Sequence, residues 1–409
     1  MRRKSIFSVI VLGLLIGLWT GAALAEKPIL IGAPMPLTGP YASDGEQMKM
    51  ALEMAVEEQN AAGGLLGRKL EIKFGDVGGL EPEKIKAVGE RLIGAGVDVV
   101  ITGYDDGGVD TKVFGQYDVP YLHGNAMALC TQPVAENPEK YWNCFQYIWN
   151  DVGYGVDGAQ YLFDVPKEMG WTPPNKNIAV VKVDYAYNIM AADEFVRRVE
   201  KKGYKVVVNE TTQFGVAEWG PILSKIESAK PSYVTFWNLD PTDAARFMKQ
   251  FVERFGRTGL NAIVYMQYTP SIPEFHNLAG AAAEGLIWVA GSYEVGPKYE
   301  EYKKRWVARY GKEPAGMQAV GPRDAFGIWI QAVQRAGCVD CYREICRLMR
   351  ESPYDGIIGN YVFFPQDQST IPGEYLMPYL WNQIWGGKNI PTGPKRFKKA
   401  DYRKPPWIK

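Results

Sequence analysis

The sequence predicts an α/β protein of two similar halves, each a mostly parallel sheet covered by helices. Three observations carry this. Short β-branched runs alternate with stretches of helical period, the sequence form of a helix-covered parallel sheet. The alternation restarts after the proline-rich break Trp171-Thr172-Pro173-Pro174. The 384 residues that follow an N-terminal leader exceed what one hydrophobic core ordinarily organises.

In chain order, Ile29 to Ala33 reads as a strand and Pro34 to Gly45 as a Pro/Gly loop. Gln47 to Asn60 follows as a helix, with Met48, Ala51, Leu52 and Ala55 on one face and Gly63-Gly64 ending it. Leu70 to Phe74 is a strand, Pro82 to Ile93 a helix, Val97 to Thr102 a strand ending at Gly103-Tyr104, and Val119 to Leu122 a further strand. After the break come strand Ile178 to Val183, helix Ile189 to Lys202 and strand Lys205 to Asn209. Helix Trp219 to Ser228, strand Tyr233 to Trp237, helix Thr242 to Phe255 and strand Ala262 to Met266 complete the second half. From Gly386 the prolines and lysines suggest an irregular surface strap. Open α/β sheets bind ligands beyond the carboxyl ends of their strands, so two halves facing one another make a cleft.

Residues 1–25 have the three regions of a secretory signal: Arg2-Arg3-Lys4, an apolar run from Ile6 to Trp19, and Ala23-Leu24-Ala25 before a cut after Ala25. The apolar run is short for a membrane span, and no cysteine near the cut takes a lipid, so a soluble periplasmic protein without a membrane anchor is expected. Of 46 basic and 46 acidic residues, three basic ones lie in the leader, leaving a net charge of −3. Without a concentrated basic face there is no case for a nucleic-acid partner. Five cysteines in an exported chain suggest disulfides with one thiol left over, and Cys130–Cys144, bracketing a loop with Pro133 and Pro138, is the favoured pair. Cys338, Cys341 and Cys346 cluster near one helical segment, where a local structural bridge is a better reading than a redox or metal motif. With only His123 and His276 in the chain, no metal site or cofactor motif stands out. The chain also lacks a Gly-x-Ser-x-Gly elbow, HExxH and GxxxxGK[ST], so no enzyme reading gains support.

The run Ile31-Gly32-Ala33-Pro34-Met35-Pro36-Leu37-Thr38-Gly39-Pro40-Tyr41-Ala42-Ser43-Asp44-Gly45, followed by Asn60-Ala61-Ala62-Gly63-Gly64-Leu65-Leu66-Gly67-Arg68-Lys69-Leu70-Glu71-Ile72, resembles the opening of periplasmic binding proteins for branched-chain amino acids and amides. Further landmarks are Val100-Ile101-Thr102-Gly103, Ala283-Glu284-Gly285-Leu286 and Gly356-Ile357-Ile358-Gly359. The resemblance implies two Rossmann-like lobes joined by three crossing segments, the type I periplasmic binding fold, with hinges near Tyr147, Gly291 and Gly356. Residues 26–147 and 291–357 then form lobe 1, and 148–290 with 358–409 form lobe 2. It further implies a non-enzymatic, cofactor-free monomer that passes a small polar organic solute to the permease subunits of an ABC importer. A module feeding a separate sensor is the alternative role.

The family's ligand positions transfer only in part. Its carboxylate-binding serine falls on Gly107, in the loop Gly103-Tyr104-Asp105-Asp106-Gly107-Gly108, and its small-residue turn ending in threonine falls on Asn125-Ala126-Met127. A tyrosine that packs on the ligand is retained as Tyr187, whereas the acidic residue that holds the ammonium falls on Tyr268, or on Gln267 if the register slips by one. The implied cleft gathers Asp44, Tyr104, Asp105 and Asp106 on one side and Trp149, Tyr185, Tyr187, Trp237 and Tyr268 on the other. Carboxylates opposite aromatic faces are suited to an amine, betaine-like or amide solute, with an aromatic acid or an aliphatic amino acid as alternatives. Each residue has a blander role: Asp44, Asp105 and Asp106 as helix caps or dipole partners, Trp149 and Trp237 as core or hinge packing, Asn125 as a turn residue. Arg323 is a carboxylate partner only if Gly321-Pro322-Arg323-Asp324 turns inward.

Overall fold

The structure, a computed structural model, describes residues 27–103, 107–291 and 295–409. The expected leader and the loop residues Tyr104, Asp105 and Asp106 lie outside the described residues. The chain begins with β1 (Ile29–Met35), α1 (Ala42–Ala61), β2 (Leu70–Asp76), α2 (Pro82–Gly94), β3 (Val99–Thr102), α3 (Val109–Phe114), β4 (Tyr121–His123), α4 (Gln132–Glu136) and β5 (Cys144–Gln146). It continues through α5 (Asp151–Tyr161), α6 (Val165–Glu168), β6 (Asn177–Val183), α7 (Ala186–Lys201), β7 (Lys205–Thr212), α8 (Gly220–Ala229), β8 (Tyr233–Trp237), α9 (Pro241–Thr258), β9 (Ile263–Gln267), α10 (Pro273–Ala279) and β10 (Ile287–Gly291). The remainder comprises α11 (Pro297–Tyr310), α12 (Gly321–Ala336), α13 (Tyr342–Glu351), β11 (Tyr354–Asp355), β12 (Asn360–Tyr361), β13 (Tyr379–Trp385) and β14 (Lys388–Gly393).

These elements make two lobes. The first holds a five-stranded sheet in the order β2-β1-β3-β4-β5, all parallel. The second holds seven strands, β14-β13-β10-β9-β8-β6-β7, in which β6 to β10 run parallel and β13 and β14 are added antiparallel at one edge. The expected surface strap therefore begins as a sheet strand. Its end is pinned by Trp407, whose indole packs 5.3 Å from Phe251 and donates to the carbonyl of Ala262 (2.9 Å).

Parallel strands covered on both faces must be apolar throughout, and all seven residues of β1 are buried. On one side α1 sets Met48, Ala51, Leu52 and Ala55 into the core, with α12 beside it and α11 tied to it by Tyr310 Oη donating to Met50 O (2.8 Å). The other side carries a second cluster built around Ile85, Val88, Leu92, Val100 and Phe114. Gly45 lets α1 start directly under the β1 loop, since a Cβ there would overlap the carbonyl of Pro36. The turn from α1 into β2 is closed by Asn60, whose amide donates to Leu70 O and accepts from Leu70 N, both at 2.9 Å. This gives the Asn-Ala-Ala-Gly-Gly signature a structural function.

The lobes are joined at three places, and Trp149 touches all of them. It lies between β5 and α5, its ring covers Gly291 at the end of β10, and its Nε1 donates to Met377 O (3.1 Å) just before β13. The third crossing is not at Gly356, as the resemblance implied. Residues 360–370 fold back on the first lobe: Gln146 pairs with Ser369, and the Gln368 amide donates to the carbonyls of Tyr141, Trp142 and Cys144. The chain therefore crosses between Ile371 and Pro378, ahead of β13.

Of the two cysteine expectations, the local bridge in the Cys338, Cys341 and Cys346 cluster is present and the Cys130–Cys144 pairing is corrected. Cys338 and Cys341 form a disulfide ahead of α13. Cys130 and Cys144 are buried thiols not joined to each other. The Cys144 sulfur lies 3.5 Å from Asn143 Oδ1 and 3.9 Å from Thr111 O, inside the second core cluster of the first lobe, and burial pushes this thiol well up from its usual value.

Candidate functional site

The carboxyl ends of β1, β3 and β4 in one lobe, and of β6, β8, β9 and β10 in the other, deliver the loops that carry the candidate residues. The two sets meet at Tyr268, the residue after β9. Its phenol lies beside Gln318 of the first lobe, and its ionisation is disfavoured first by burial and next by the charge of Asp44, in the first turn of α1. Together these push the phenol up to about 12. Its backbone has φ +64°, a conformation costly for any residue with a Cβ. It is held there by Tyr268 N donating to Val289 O (2.8 Å) and Ser271 N donating to Tyr268 O (2.7 Å).

Behind Tyr268 lies a layer of aromatic and polar groups. Gln267 Nε2 donates to the Tyr187 hydroxyl (2.9 Å). Tyr187 stacks obliquely on Tyr154 at 6.4 Å, and the Tyr154 hydroxyl accepts from Gly291 N (2.9 Å) at the hinge. Burial raises the Tyr187 phenol well above its ordinary value, neighbouring Tyr154 and Asp151 adding to the effect. Asp151, at the start of α5, ties the lobes directly: its amide donates to Ala126 O, and its Oδ1 accepts from Ala128 N, both at 2.9 Å. Burial pushes its carboxyl up to about 7, against the hydrogen bonds that favour the charged form. Asp151 Oδ2, Gln267 Oε1 and both amide atoms of Asn188 are buried without a partner among the described residues.

The other candidates fall into distinct places. Gly107 is half-buried, and a Cβ there would meet nothing within 4 Å among the described residues, so the position has room for a ligand group. Met127 precedes a short 3₁₀ turn, and its carbonyl accepts from Gln146 Nε2 (3.0 Å). Asn125 is buried with its amide donating to Asp110 (2.6 Å), so it braces the first lobe. Trp149 is the hinge wedge. Tyr185 is 42% exposed, its ring 6.1 Å from Phe214. Trp237, expected on the cleft wall, is 0% exposed: its Nε1 donates to Thr235 Oγ1 (3.0 Å) and its ring packs between Phe195 and Tyr265 in the second-lobe core. Arg323 does not turn inward. It sits 3.7 Å from Glu58 near the far end of α1, about 20 Å along the helix from Asp44.

Asp151, Tyr154, Gln318 and Asn188 were not foreseen. Asp151 had a sequence signal, a carboxylate opening a helix four residues after the expected Tyr147 hinge. Gln318 had none, because its approach to Tyr268 is a long-range contact between lobes.

The sequence pattern of periplasmic binding proteins fits residues 28–379 of this chain. The chain belongs to that family. Periplasmic binding proteins bind solutes, and this one is a substrate-binding protein of ABC-transporter type, not an enzyme. Among its relatives, Leu/Ile/Val-binding protein homolog 1 of Brucella melitensis is 27% identical, over 94% of this chain and 98% of its own length. A crystal structure from Silicibacter pomeroyi, assigned as a branched-chain amino acid ABC transporter, is 28% identical with a TM-score of 0.87, covering 93% of this chain and 100% of that one. An ABC transporter substrate-binding protein from Desulfitobacterium hafniense in complex with Leu shares the fold at 18% identity and TM-score 0.70, over 89% and 100% of the two chains. Among the described residues no helix is long and apolar enough to cross a membrane.

Proposed function

We propose that this chain is the periplasmic solute-binding component of an ABC importer, cut after Ala25, which captures as a monomer a small organic solute bearing a protonated amino group and hands it to permease subunits. The observation that carries the reading is Tyr268 at the carboxyl end of β9, held at φ +64°, with Gln267, Asn188 and Asp151 presenting buried polar atoms unpartnered among the described residues behind it and Asp44 of the facing lobe near enough to disfavour its ionisation. An ammonium there gains a carboxylate, a phenol oxygen and an aromatic face, in a setting where Coulomb and cation–π terms are weakly screened. Given the names of the relatives, an aliphatic amino acid is the leading candidate, ahead of a betaine-like or amide solute. Its carboxylate would lie near Gly107, held by backbone N–H groups, because the serine and threonine hydroxyls that serve it in the family are replaced here by Gly107 and Met127. Lobe closure on the solute selects the closed state from an open and closed population.

A thermal-shift screen tests this, since a ligand of the folded state alone raises Tm with its concentration and affinity. The expected result is stabilisation by an amino-bearing solute and none by its deaminated analogue. Stabilisation only by acids without nitrogen, such as benzoate, would contradict it.

A further inference from the structure

A cavity of about 560 Å³ lies away from the interlobe cleft, between α5 and the C-terminal segment that runs from Pro372 to Tyr402. Its volume is within the range of small-molecule sites. Its walls include Tyr161, Tyr379, Trp381 and Tyr402, and Asp157 of α5 projects among them. Asp157 is only 8% exposed. One of its oxygens, Oδ2, accepts from Trp381 Nε1 (2.7 Å); the other, Oδ1, takes no hydrogen bond among the described residues. A carboxyl whose whole duty was to fix the indole would need one oxygen, and would be replaceable by an amide or hydroxyl without the cost of burying an acid. The rim adds Asp164, Glu168 and Glu374, against Lys395 and a Lys398 already paired with Glu168 (2.7 Å) and Asp401 (2.9 Å). The field at the mouth therefore favours a positive guest.

We propose that this cavity is a second binding site, separate from the interlobe cleft, for a small organic cation such as a methylated or primary ammonium. The guest sits against Asp157 Oδ1 with the Trp381 and Tyr161 rings beside it, whose centroids are 6.4 Å apart in a T-shaped pair. Binding exchanges the Asp157 proton for the ammonium, so the titration is run at about pH 9 and affinity falls as pH is lowered; the carboxylate so formed within an aromatic cage is the arrangement that recognises an ammonium. Occupancy reaches the hinge through one wall: the Tyr379 ring is 4.8 Å from Tyr154 and 6.2 Å from Trp149.

The test is titration of the mature protein with tetramethylammonium and methylammonium chloride, read by tryptophan fluorescence and calorimetry, with sodium chloride at matched ionic strength as control. Saturable binding of one ammonium is expected in the wild type and in Asp44→Asn. Asp157→Asn and Tyr161→Ala each weaken it by roughly tenfold or more. Tyr161 is 46% exposed, so its variant carries the test should Asp157→Asn fail to fold. No saturable response in the wild type overturns the proposal. So does a response lost in Asp44→Asn and kept in Tyr161→Ala, which would place the cation in the cleft instead. Failure of amino-solute capture in the cleft leaves both arms readable.

Discussion

Replacing Gly291 with alanine probes the hinge most sharply. A Cβ at that position would lie 2.5 Å from Trp149 Cδ2 and closer still to Cε3 and Cζ3, whereas carbon atoms in contact settle at about 3.5–4.0 Å. The indole must therefore retreat by about 1 Å or more, and it is not free to do so. Its Nε1 is bonded to Met377 O on the third crossing, and the neighbouring Gly291 N donates to Tyr154 Oη (2.9 Å). Overpacking of this kind costs about 1–3 kcal/mol and a strained buried hydrogen bond about 1 more. Gly291→Ala is thus expected to lose roughly 2–4 kcal/mol in urea denaturation, and to weaken solute binding because the three crossings no longer close in register. In a Trp149→Ala background the same change should cost under about 1 kcal/mol, since the obstructing ring is gone. Equal costs in both backgrounds would refute the wedge.

Three further outcomes follow from the geometry. With the cavity empty, burial raises the Asp157 carboxyl from 3.8 to about 8, so in the cation-free protein it contributes stability that is complete below pH 4 and is lost as pH rises through 8, and a cation bound there must displace its proton. His123, lowered to about 3 by burial, acts oppositely but only below about pH 6.5. Between pH 6.5 and 8.5 the unfolding free energy should fall, and Asp157→Asn should remove about 2 kcal/mol of that fall at most; an unchanged slope in the variant would place the ionisation elsewhere. Tyr268→Phe deletes the hydroxyl beside Gln318 and should weaken solute binding about fivefold at nearly unchanged Tm, whereas an equal loss of Tm and affinity would make Tyr268 a packing residue. Non-reducing peptide mapping should recover Cys338 linked to Cys341 and both Cys130 and Cys144 as thiols; a Cys130–Cys144 peptide would contradict this arrangement.

What was legible in the sequence followed local rules. The apolar run of β1, the helical face of α1 and the alternation through β9 are all periodic, and each appears within a few residues of its expected place. The departures come from long-range packing. Residues 360–370 carry no periodic pattern, and only their pairing with Gln146 and the reach of the Gln368 amide keep them on the first lobe. Trp237 ends its strand on the cleft side in sequence, yet the space between Phe195 and Tyr265 draws the indole into the core, where Thr235 satisfies its N–H. Spacing made Cys130 and Cys144 look like a pair, but β5 turns Cys144 into an apolar cluster. The places of Asp44, Tyr187, Gln267 and Tyr268 beside strand ends were legible because the resemblance carried each onto a loop of the alternating pattern. Gln318 and Asp151 were missed because their roles depend on the opposite lobe.

The central claim is that an amino-bearing solute is held between Asp44 and Tyr268. Calorimetry on ligand-stripped protein tests it directly, with leucine, isoleucine, valine, betaines, amides and the corresponding deaminated acids, each repeated on Asp44→Asn. The account predicts one-to-one binding of at least one aminated solute, weakened by roughly tenfold or more in Asp44→Asn, while the variant's stability drops by no more than the ~1 kcal/mol of a lost helix-dipole contact. Tight binding of a deaminated acid, with aminated solutes silent and Asp44→Asn indistinguishable from the wild type, would contradict it.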